Sequence, residues 1–259
     1  MPQFAANLSM MFTELPFLER FKAASEAGFQ AVEYLFPYDY GKTEIATRLN
    51  ANGLAQALFN AHAGDWTNGE RGLASLAGRE QEFRDSIVQA LDYAQILGCP
   101  KVHIMAGITE NTSDTQDLYV DNLQHAADQA AALGIEVLIE PINARDMPGY
   151  FLGSVTQAID LLKRIDRPNA RLQFDYYHAQ ITSGDVTMLM RETIDYIGHV
   201  QIASVPERHE PDAGELNYLY VLEALDAAGY DGWVGCEYHP AAGTVAGLGW
   251  LASYQGGTK

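Results

Sequence analysis

The 259-residue sequence contains little cysteine and no long apolar run. Its two cysteines, Cys99 and Cys236, stand in apolar contexts rather than in a CxxC or Cys/His arrangement, which argues against a disulfide framework or a thiolate metal site. No stretch approaches the roughly 20 apolar residues of a membrane span, and the first residues lack the basic and apolar regions of a signal peptide. We therefore expect a cytoplasmic protein with reduced thiols and no membrane contact.

Positive charge is also scarce. Lys and Arg together number 16 against 34 Asp and Glu, which gives a formal net charge of −18. A surface of this sign repels phosphate backbones and anionic lipids, so nucleic acid is not expected as a partner. Small molecules and metal cations are the partners that this charge favours.

No linker, low-complexity tract or break in composition divides the chain. Hydrophobic residues make up 47% and charged residues 19%, which suits a globular domain with a sizeable core. Barrels of alternating strands and helices often reach about 250 residues as one unit. We predict a single domain over residues 1–259.

Apolar runs of strand length alternate with segments of helical periodicity. Strands are predicted at 3–8, 31–35, 54–60, 101–105, 137–140, 171–175, 199–203 and 233–237, with helical segments between them. Alternation implies parallel strands and right-handed crossovers, so we predict an α/β fold, the (β/α)8 TIM barrel. A doubly wound open sheet is the alternative, and it is disfavoured because the first strand-to-helix turn has no glycine-rich fingerprint.

Oxygen donors lie at or near the ends of the last four predicted strands. They are Glu140, which Pro141 follows at once, Asp175, Gln201 and Glu237. An acidic residue at such a position is often only a helix N-cap or a solvated charge. The C-terminal ends of barrel strands converge on one face, however, so the four side chains together predict a site.

Three carboxylates at one point would repel one another and raise each other's pKa unless a cation compensates them. Oxygen ligands of this kind suit Mg²⁺ or Mn²⁺ better than Zn²⁺, which prefers histidine or cysteine. The sequence therefore predicts a divalent metal site on this face of the barrel.

Short motifs along nearly the whole chain point to one family. They read FAANLSMMF at 4–12, FPYDY at 36–40, GDW at 64–66, GERG at 69–72, GRE at 78–80, IEPIN at 139–143, EP at 210–211, GE at 214–215, NY at 217–218 and GWVGCEY at 232–238. This set resembles the hydroxypyruvate isomerase family, which is one branch of the xylose-isomerase-like TIM barrels.

The resemblance implies particular roles for particular residues. It implies a divalent metal, Mg²⁺ or Mn²⁺, bound by Glu140, Asp175, Gln201 and Glu237. Glu140 and Glu237 would also serve as proton donor and acceptor. His178 and Arg208 match positions that contact substrate in related barrels, and Arg208 is a candidate clamp for a substrate carboxylate.

The reaction implied is an aldose-ketose type isomerisation of a small anionic hydroxy-keto acid. Hydroxypyruvate and tartronate semialdehyde (2-hydroxy-3-oxopropanoate) would interconvert by metal-assisted proton transfer through an enediolate, without a redox cofactor. Such an enzyme belongs to carbohydrate and glyoxylate metabolism. Relatives in this group often pair or form tetramers, and the sequence leaves a homo-oligomer open.

Other functions remain open at this point. The close alternative is a 2-oxotetronate isomerase, which would apply the same chemistry to a substrate one hydroxymethylene longer. A ketose 3-epimerase is less favoured because Gln201 stands where epimerase relatives have histidine. A non-catalytic sugar-binding barrel would not need two opposed carboxylates, and an endonuclease-type barrel would need more histidine ligands and a basic surface.

Overall fold

The computed structural model describes residues 2–255, and within them eight parallel strands form a closed barrel. Each strand pairs with the next in the sequence, and the last pairs with the first. The predicted (β/α)8 TIM barrel is therefore confirmed. The strands are β1 Gln3–Asn7, β2 Ala31–Tyr34, β3 Ala55–Asn60, β4 Lys101–His103, β5 Glu136–Ile139, β6 Ala170–Asp175, β7 Ile197–Ile202 and β8 Trp233–Cys236.

Helices alternate with the strands, and neighbouring helices contact one another around the barrel. They are α1 Phe17–Glu26, α2 Lys42–Asn52, α3 Glu80–Leu97, α4 Ser113–Ala131, α5 Val155–Ile165, α6 Tyr176–Thr182, α7 Val186–Thr193, α8 Tyr218–Ala227 and α9 Ala252–Gln255. Gly98 ends α3 in the left-handed region, with φ 62°, a conformation that glycine adopts without a side-chain clash.

Two helices differ from the sequence prediction. The apolar spacing of the segment after β4 predicts a helix from Tyr119, but α4 begins at Ser113 because the Thr112 hydroxyl caps it, accepting from the Thr115 N–H at 3.2 Å. The short α6 was not predicted. It begins directly after Asp175, whose Oδ1 accepts from the Tyr177 N–H at 2.8 Å, so the end of β6 is also a helix N-cap.

Apolar side chains fill the layer between strands and helices, whereas the middle of the barrel is polar. Barrel interiors are usually packed with branched apolar residues. Here several strands instead contribute buried polar side chains, namely Asn7, Glu33, Gln56, Asn60, His103, Gln173, His199 and Gln201. A polar interior of this kind directs attention to the face where the same strands end.

The strands and helices of the barrel extend from Gln3 to Gln255. Within residues 2–255, every helix is too short or too polar to span a lipid bilayer. The prediction of a single domain over residues 1–259 also includes Met1 and residues 256–259, which lie outside the described residues, so it stays a prediction.

Candidate active site

The four oxygen donors predicted from the sequence lie where the last four strands end. Asp175 is the last residue of β6 and Gln201 belongs to β7, while Glu140 and Glu237 each follow their strand by one residue. Asp175 is the register partner of Gln201. All four side chains are buried and lie at the C-terminal ends of their strands.

Three of these residues form a compact cluster with His178. One ligand atom each from Glu140, Asp175, His178 and Glu237 lies within 4.8 Å of all the others. Glu140 Oε1 and Asp175 Oδ2 are buried without a hydrogen-bond partner in the described part of the chain. Buried carboxylate oxygens without partners are costly. The cluster therefore fits a divalent cation, which would satisfy both oxygens.

The raised pKa values of the three carboxyl groups also favour a bound cation. Burial raises the pKa of Glu140 well above its ordinary value, and the charges of Glu237 and Asp175 raise it further. Burial raises the pKa of Asp175 to about 6 and that of Glu237 to about 8, although the positive charge of Arg208 opposes both shifts. Since each group resists ionisation, a bound cation would be needed to keep all three charged.

Arg208 is the positive charge at the edge of the cluster. Its Nη2 lies 2.6 Å from Glu237 Oε2 and its Nη1 lies 3.3 Å from Asp146 Oδ2, while the guanidinium sits 4.8 Å from the centre of the Tyr177 ring. Burial acts to lower the pKa of Arg208, but the surrounding carboxylates outweigh it, and the pKa is raised. The guanidinium therefore stays charged.

The backbone of Arg208 is held in an uncommon conformation. Its φ is 55°, in the left-handed region that non-glycine residues seldom adopt. Two hydrogen bonds fix it there: the Arg208 N–H donates to the Ser204 carbonyl at 2.9 Å, and the His239 N–H donates to the Arg208 carbonyl at 2.8 Å. The loop thus determines the direction in which the guanidinium enters the site.

His178 faces the cluster as a hydrogen-bond donor. The Asp146 N–H donates to Asn143 Oδ1 at 2.9 Å, which turns the Asn143 amide nitrogen toward His178 Nδ1 at 2.7 Å. Nδ1 is then the acceptor, so the proton lies on Nε2, which is 3.6 Å from Asp175 Oδ2 and 3.8 Å from Glu140 Oε1. Burial lowers the pKa of His178 well below its usual value, so the ring is neutral.

This tautomer separates His178 from the other cluster residues. A protonated Nε2 donates a hydrogen bond and offers no lone pair to a metal. His178 is therefore better suited to a substrate oxygen than to a cation, which agrees with the role that the family resemblance implied.

Gln201 has an amide with both ends engaged. Its Nε2 donates to Glu33 Oε1 at 2.8 Å, and its Oε1 accepts from Gln173 Nε2 at 2.6 Å. A carbonyl oxygen has two lone pairs, so one remains for a cation. The sequence placed Gln201 at the site but gave no sign of these partners.

Other polar residues around the cluster were missed, and all of them except the exposed Asp146 are buried. His103 Nε2 lies 3.7 Å from Glu140 Oε2, and burial lowers the pKa of His103 to about 3, so it is neutral. Asn7 donates to Glu237 Oε1 at 3.2 Å, and Asp146 holds Arg208. The available signal was a polar residue inside an otherwise apolar strand, as at Glu33 in Ala-Val-Glu-Tyr.

A cavity of about 690 Å³ lies beside the loop that follows β3. Its lining contains none of the cluster residues, so the cluster rather than this cavity marks the candidate site. Within the loop, Arg71 stacks on Trp66 at 4.0 Å and Trp66 packs edge-on against Phe36 at 5.1 Å. The residues that line the cavity include Phe36, Tyr38, His62, Trp66, Glu70 and Arg79.

Metal binding is expected to stabilise the protein more at high than at low pH. Below the raised pKa values of Glu237 (about 8) and Asp175 (about 6), protons occupy oxygens that a cation needs. Because the folded state binds more protons than the unfolded state between the ordinary value of 4.5 and about 8, the stability of the metal-free protein falls as the pH rises through that window. A cation that replaces the proton offsets this loss.

Calorimetric scans with and without Mn²⁺ measure this effect. With Mn²⁺ at about 100 times its Kd, the thermal midpoint should rise by about 5–10 °C near pH 8 and by less than about half of that near pH 5. Glu237→Gln, which does not titrate, should reduce the difference between the two pH values. Equal midpoint shifts at both pH values would contradict the prediction.

Comparison with known proteins places these features in a wider group. A family model described as the xylose isomerase-like TIM barrel matches residues 21–254. The 2-oxo-tetronate isomerase of Cupriavidus necator is 56% identical over 259 residues, covering 99% of this chain and 100% of that protein. The hydroxypyruvate isomerase of Escherichia coli is 43% identical over 258 residues, covering 98% of this chain and 100% of that protein.

A solved structure gives the same fold with high similarity. A Brucella melitensis protein described as an AP endonuclease of family 2 superposes with a TM-score of 0.97 and is 54% identical, covering 98% of this chain and 99% of that one. Each of these likenesses runs over nearly the whole chain, including the strands that carry the carboxylate cluster.

Proposed function

The chain belongs to the xylose isomerase-like TIM barrel family and is an isomerase, and we propose that it shifts a carbonyl group between C2 and C3 of a short 2-oxo acid. Hydroxypyruvate would give tartronate semialdehyde, and 2-oxotetronate would undergo the same shift. The observation that supports this most is the buried cluster of three carboxylates with Arg208 beside it.

Both acids fit the same chemistry, and sequence identity favours one of them as the better substrate. The chain is 56% identical to a 2-oxo-tetronate isomerase and 43% identical to a hydroxypyruvate isomerase, each over nearly its full length. We therefore propose 2-oxotetronate as the preferred substrate, with hydroxypyruvate, its shorter analogue, also converted.

Glu140, Asp175, Gln201 and Glu237 would hold the metal, and we propose Mg²⁺ or Mn²⁺ because all four offer oxygen. When bound, the cation supplies Lewis acidity to the ketone and hydroxyl oxygens of the substrate. His178 is left outside this ligand set because its Nε2 carries a proton.

Glu140 and Glu237 are the groups that would move the carbon-bound proton. One of the two, in its ionised form, would take the proton from C3. A protonated carboxyl group of this pair would then return a proton to C2. The oxygen-bound proton passes from the C3 hydroxyl to the oxygen on C2, so atoms and electrons balance without a redox cofactor. Without a cation, burial raises the pKa of Glu237 to about 8, and a bound cation would lower it, which would keep the group ionised near neutral pH.

Arg208 and His178 would orient the substrate. A guanidinium can donate paired, charge-assisted hydrogen bonds to the substrate carboxylate. The Nε2 proton of His178 would donate to a substrate oxygen beside Glu140. In a chain of net charge −18, an anionic substrate needs such fixed local donors.

An endonuclease activity is not favoured for this chain. The cluster contains three carboxylates and one neutral histidine, whereas a multi-zinc nuclease site would need more nitrogen ligands. A chain of net charge −18 also repels a phosphate backbone. The isomerase chemistry uses the carboxylates directly.

Turnover of purified protein supplied with Mn²⁺ tests the proposal. We expect conversion of both acids, with kcat/KM about tenfold higher for 2-oxotetronate, a difference of about 1.4 kcal/mol in transition-state binding. A ketose without a carboxylate should be at least about 100-fold poorer than the better acid. Epimerisation of the ketose without turnover of either acid would overturn the proposed function.

A further inference from the structure

Glu33 is a buried carboxylate in the middle of the barrel, on β2. It is 1% exposed, and three neighbouring side chains surround its oxygens. Asn7 Nδ2 and Gln201 Nε2 lie 3.0 and 2.8 Å from Oε1, and His199 Nε2 lies 2.7 Å from Oε2. The barrel also makes room for it, since a Cβ at Gly235 would lie within 2.3–2.5 Å of the Glu33 carboxylate.

The side of the Gln201 amide that faces Glu33 is its NH₂ group, which donates to Glu33 Oε1 at 2.8 Å. The carbonyl oxygen lies at the opposite edge of the amide and accepts from Gln173 Nε2 at 2.6 Å. Asp175, a member of the carboxylate cluster, is the register partner of Gln201 on the neighbouring strand. A neutral amide at position 33 would offer both a donor and an acceptor, and Gln201 could then turn its NH₂ group the other way.

Asn7 extends this arrangement to the other side of the site. The Ser9 N–H donates to Asn7 Oδ1 at 3.1 Å, which directs the Asn7 NH₂ group into the barrel. That group donates to Glu33 Oε1 and also to Glu237 Oε1, at 3.2 Å. Glu33 thus contacts one proposed metal ligand, Gln201, directly and reaches a second, Glu237, through the Asn7 amide.

We propose that Glu33 is a positioning residue for the metal site: it holds the Gln201 amide so that the carbonyl oxygen, which also accepts from Gln173, keeps one lone pair for the cation, and it holds Asn7 against Glu237. This inference rests on the proposed metal site. Burying a carboxylate costs free energy that hydrogen bonds must offset, and an apolar side chain is the usual occupant of a barrel interior. Glu33 Oε1 accepts from both amides, and this shared acceptor is what orients them.

Mn²⁺ titration calorimetry on variants of the full chain tests this inference. Glu33→Gln keeps the shape but adds a donor, and we expect Mn²⁺ to bind about 10–100-fold more weakly. Gln201→Glu alone places two carboxylates together and should also weaken binding. The double variant E33Q/Q201E restores an amide opposite a carboxylate, so its affinity should return to within about tenfold of the unaltered protein.

The double variant separates an effect on the orientation of the amide from a general loss of stability. A general loss of stability would make the losses of Mn²⁺ affinity in the two single variants add. Glu210→Gln, another buried carboxylate, which accepts from the Ala241 N–H, serves as the control and should leave Mn²⁺ affinity unchanged. Should E33Q alone not fold, the comparison of E33Q/Q201E with Q201E decides, and at least tenfold tighter binding by the double variant is expected.

Two results would overturn the inference, and they differ from each other. Unaltered Mn²⁺ affinity in E33Q, or additive losses in the double variant, would overturn the role of Glu33 while leaving the metal site intact. Absence of saturable Mn²⁺ binding by the unaltered protein would overturn the metal site itself, and the role of Glu33 with it.

Discussion

Replacing Glu140 or Glu237 by glutamine is expected to lower kcat by about a thousandfold or more with little change in the fold. The amide has nearly the same shape as the carboxylate, but it cannot take a proton and it is a poorer ligand for a hard cation. General acid–base catalysis alone contributes about 10²–10⁴-fold. Both residues lie within the carboxylate cluster, so each substitution removes a proton carrier and a candidate metal ligand together.

The exchange of substrate hydrogen with solvent can distinguish the role of Glu140 from that of Glu237. If one of them serves C3 and the other serves C2, one variant should still exchange the C3 hydrogen in D₂O without forming product, and the other should exchange nothing. Proton NMR of the substrate follows both events. Glu136→Gln, at the other end of β5, is the matched control and should keep its turnover. More than about a tenth of the normal kcat in either variant would contradict the assigned roles.

Much of the architecture follows from local sequence. Parallel barrel strands are buried on both faces, so even with polar side chains in the barrel interior they appear as short, mostly apolar runs that can be recognised singly, and their alternation with helices determines the topology. The convergence of strand ends then places Glu140, Asp175 and Glu237 together without knowledge of any contact between them. These residues could therefore be chosen from the chain alone.

The supporting residues could not be chosen in this way. Asn7 and Glu237 are 230 positions apart, and Glu33 and Gln201 are 168 apart, so their pairing depends on barrel closure, strand register and side-chain rotamer. His178 and Arg208 were identified only by family resemblance. The tautomer of His178 makes its Nε2 a hydrogen-bond donor. That tautomer depends on the contact between Asn143 and His178 Nδ1, which the periodicity of the sequence does not reveal.

Removal of divalent metal is expected to abolish turnover while the barrel stays folded. Without the cation, the substrate oxygens lose the electrophile that acidifies the C3 hydrogen, and metal-assisted steps of this kind are worth several kcal/mol. The fold should persist because Arg208 already pairs with Glu237, and burial raises the pKa of Glu140 so far that it can remain protonated. Chelation, dialysis and measurement of residual metal, followed by kinetics and circular dichroism, check both parts.

The choice of metal that restores activity depends on the chemistry of the ligands. Mn²⁺ and Mg²⁺ should recover most of the rate, because Glu140, Asp175, Gln201 and Glu237 offer only oxygen. Zn²⁺ should do so less well, since the histidine nitrogen that faces the cluster, His178 Nε2, carries the proton and offers no lone pair. Asn143→Asp, which replaces the donor to His178 Nδ1 by an acceptor, would favour the other tautomer and should shift the preference toward Zn²⁺. Full turnover by the stripped protein would show that the carboxylate cluster works without a cation and would remove the basis of this selectivity.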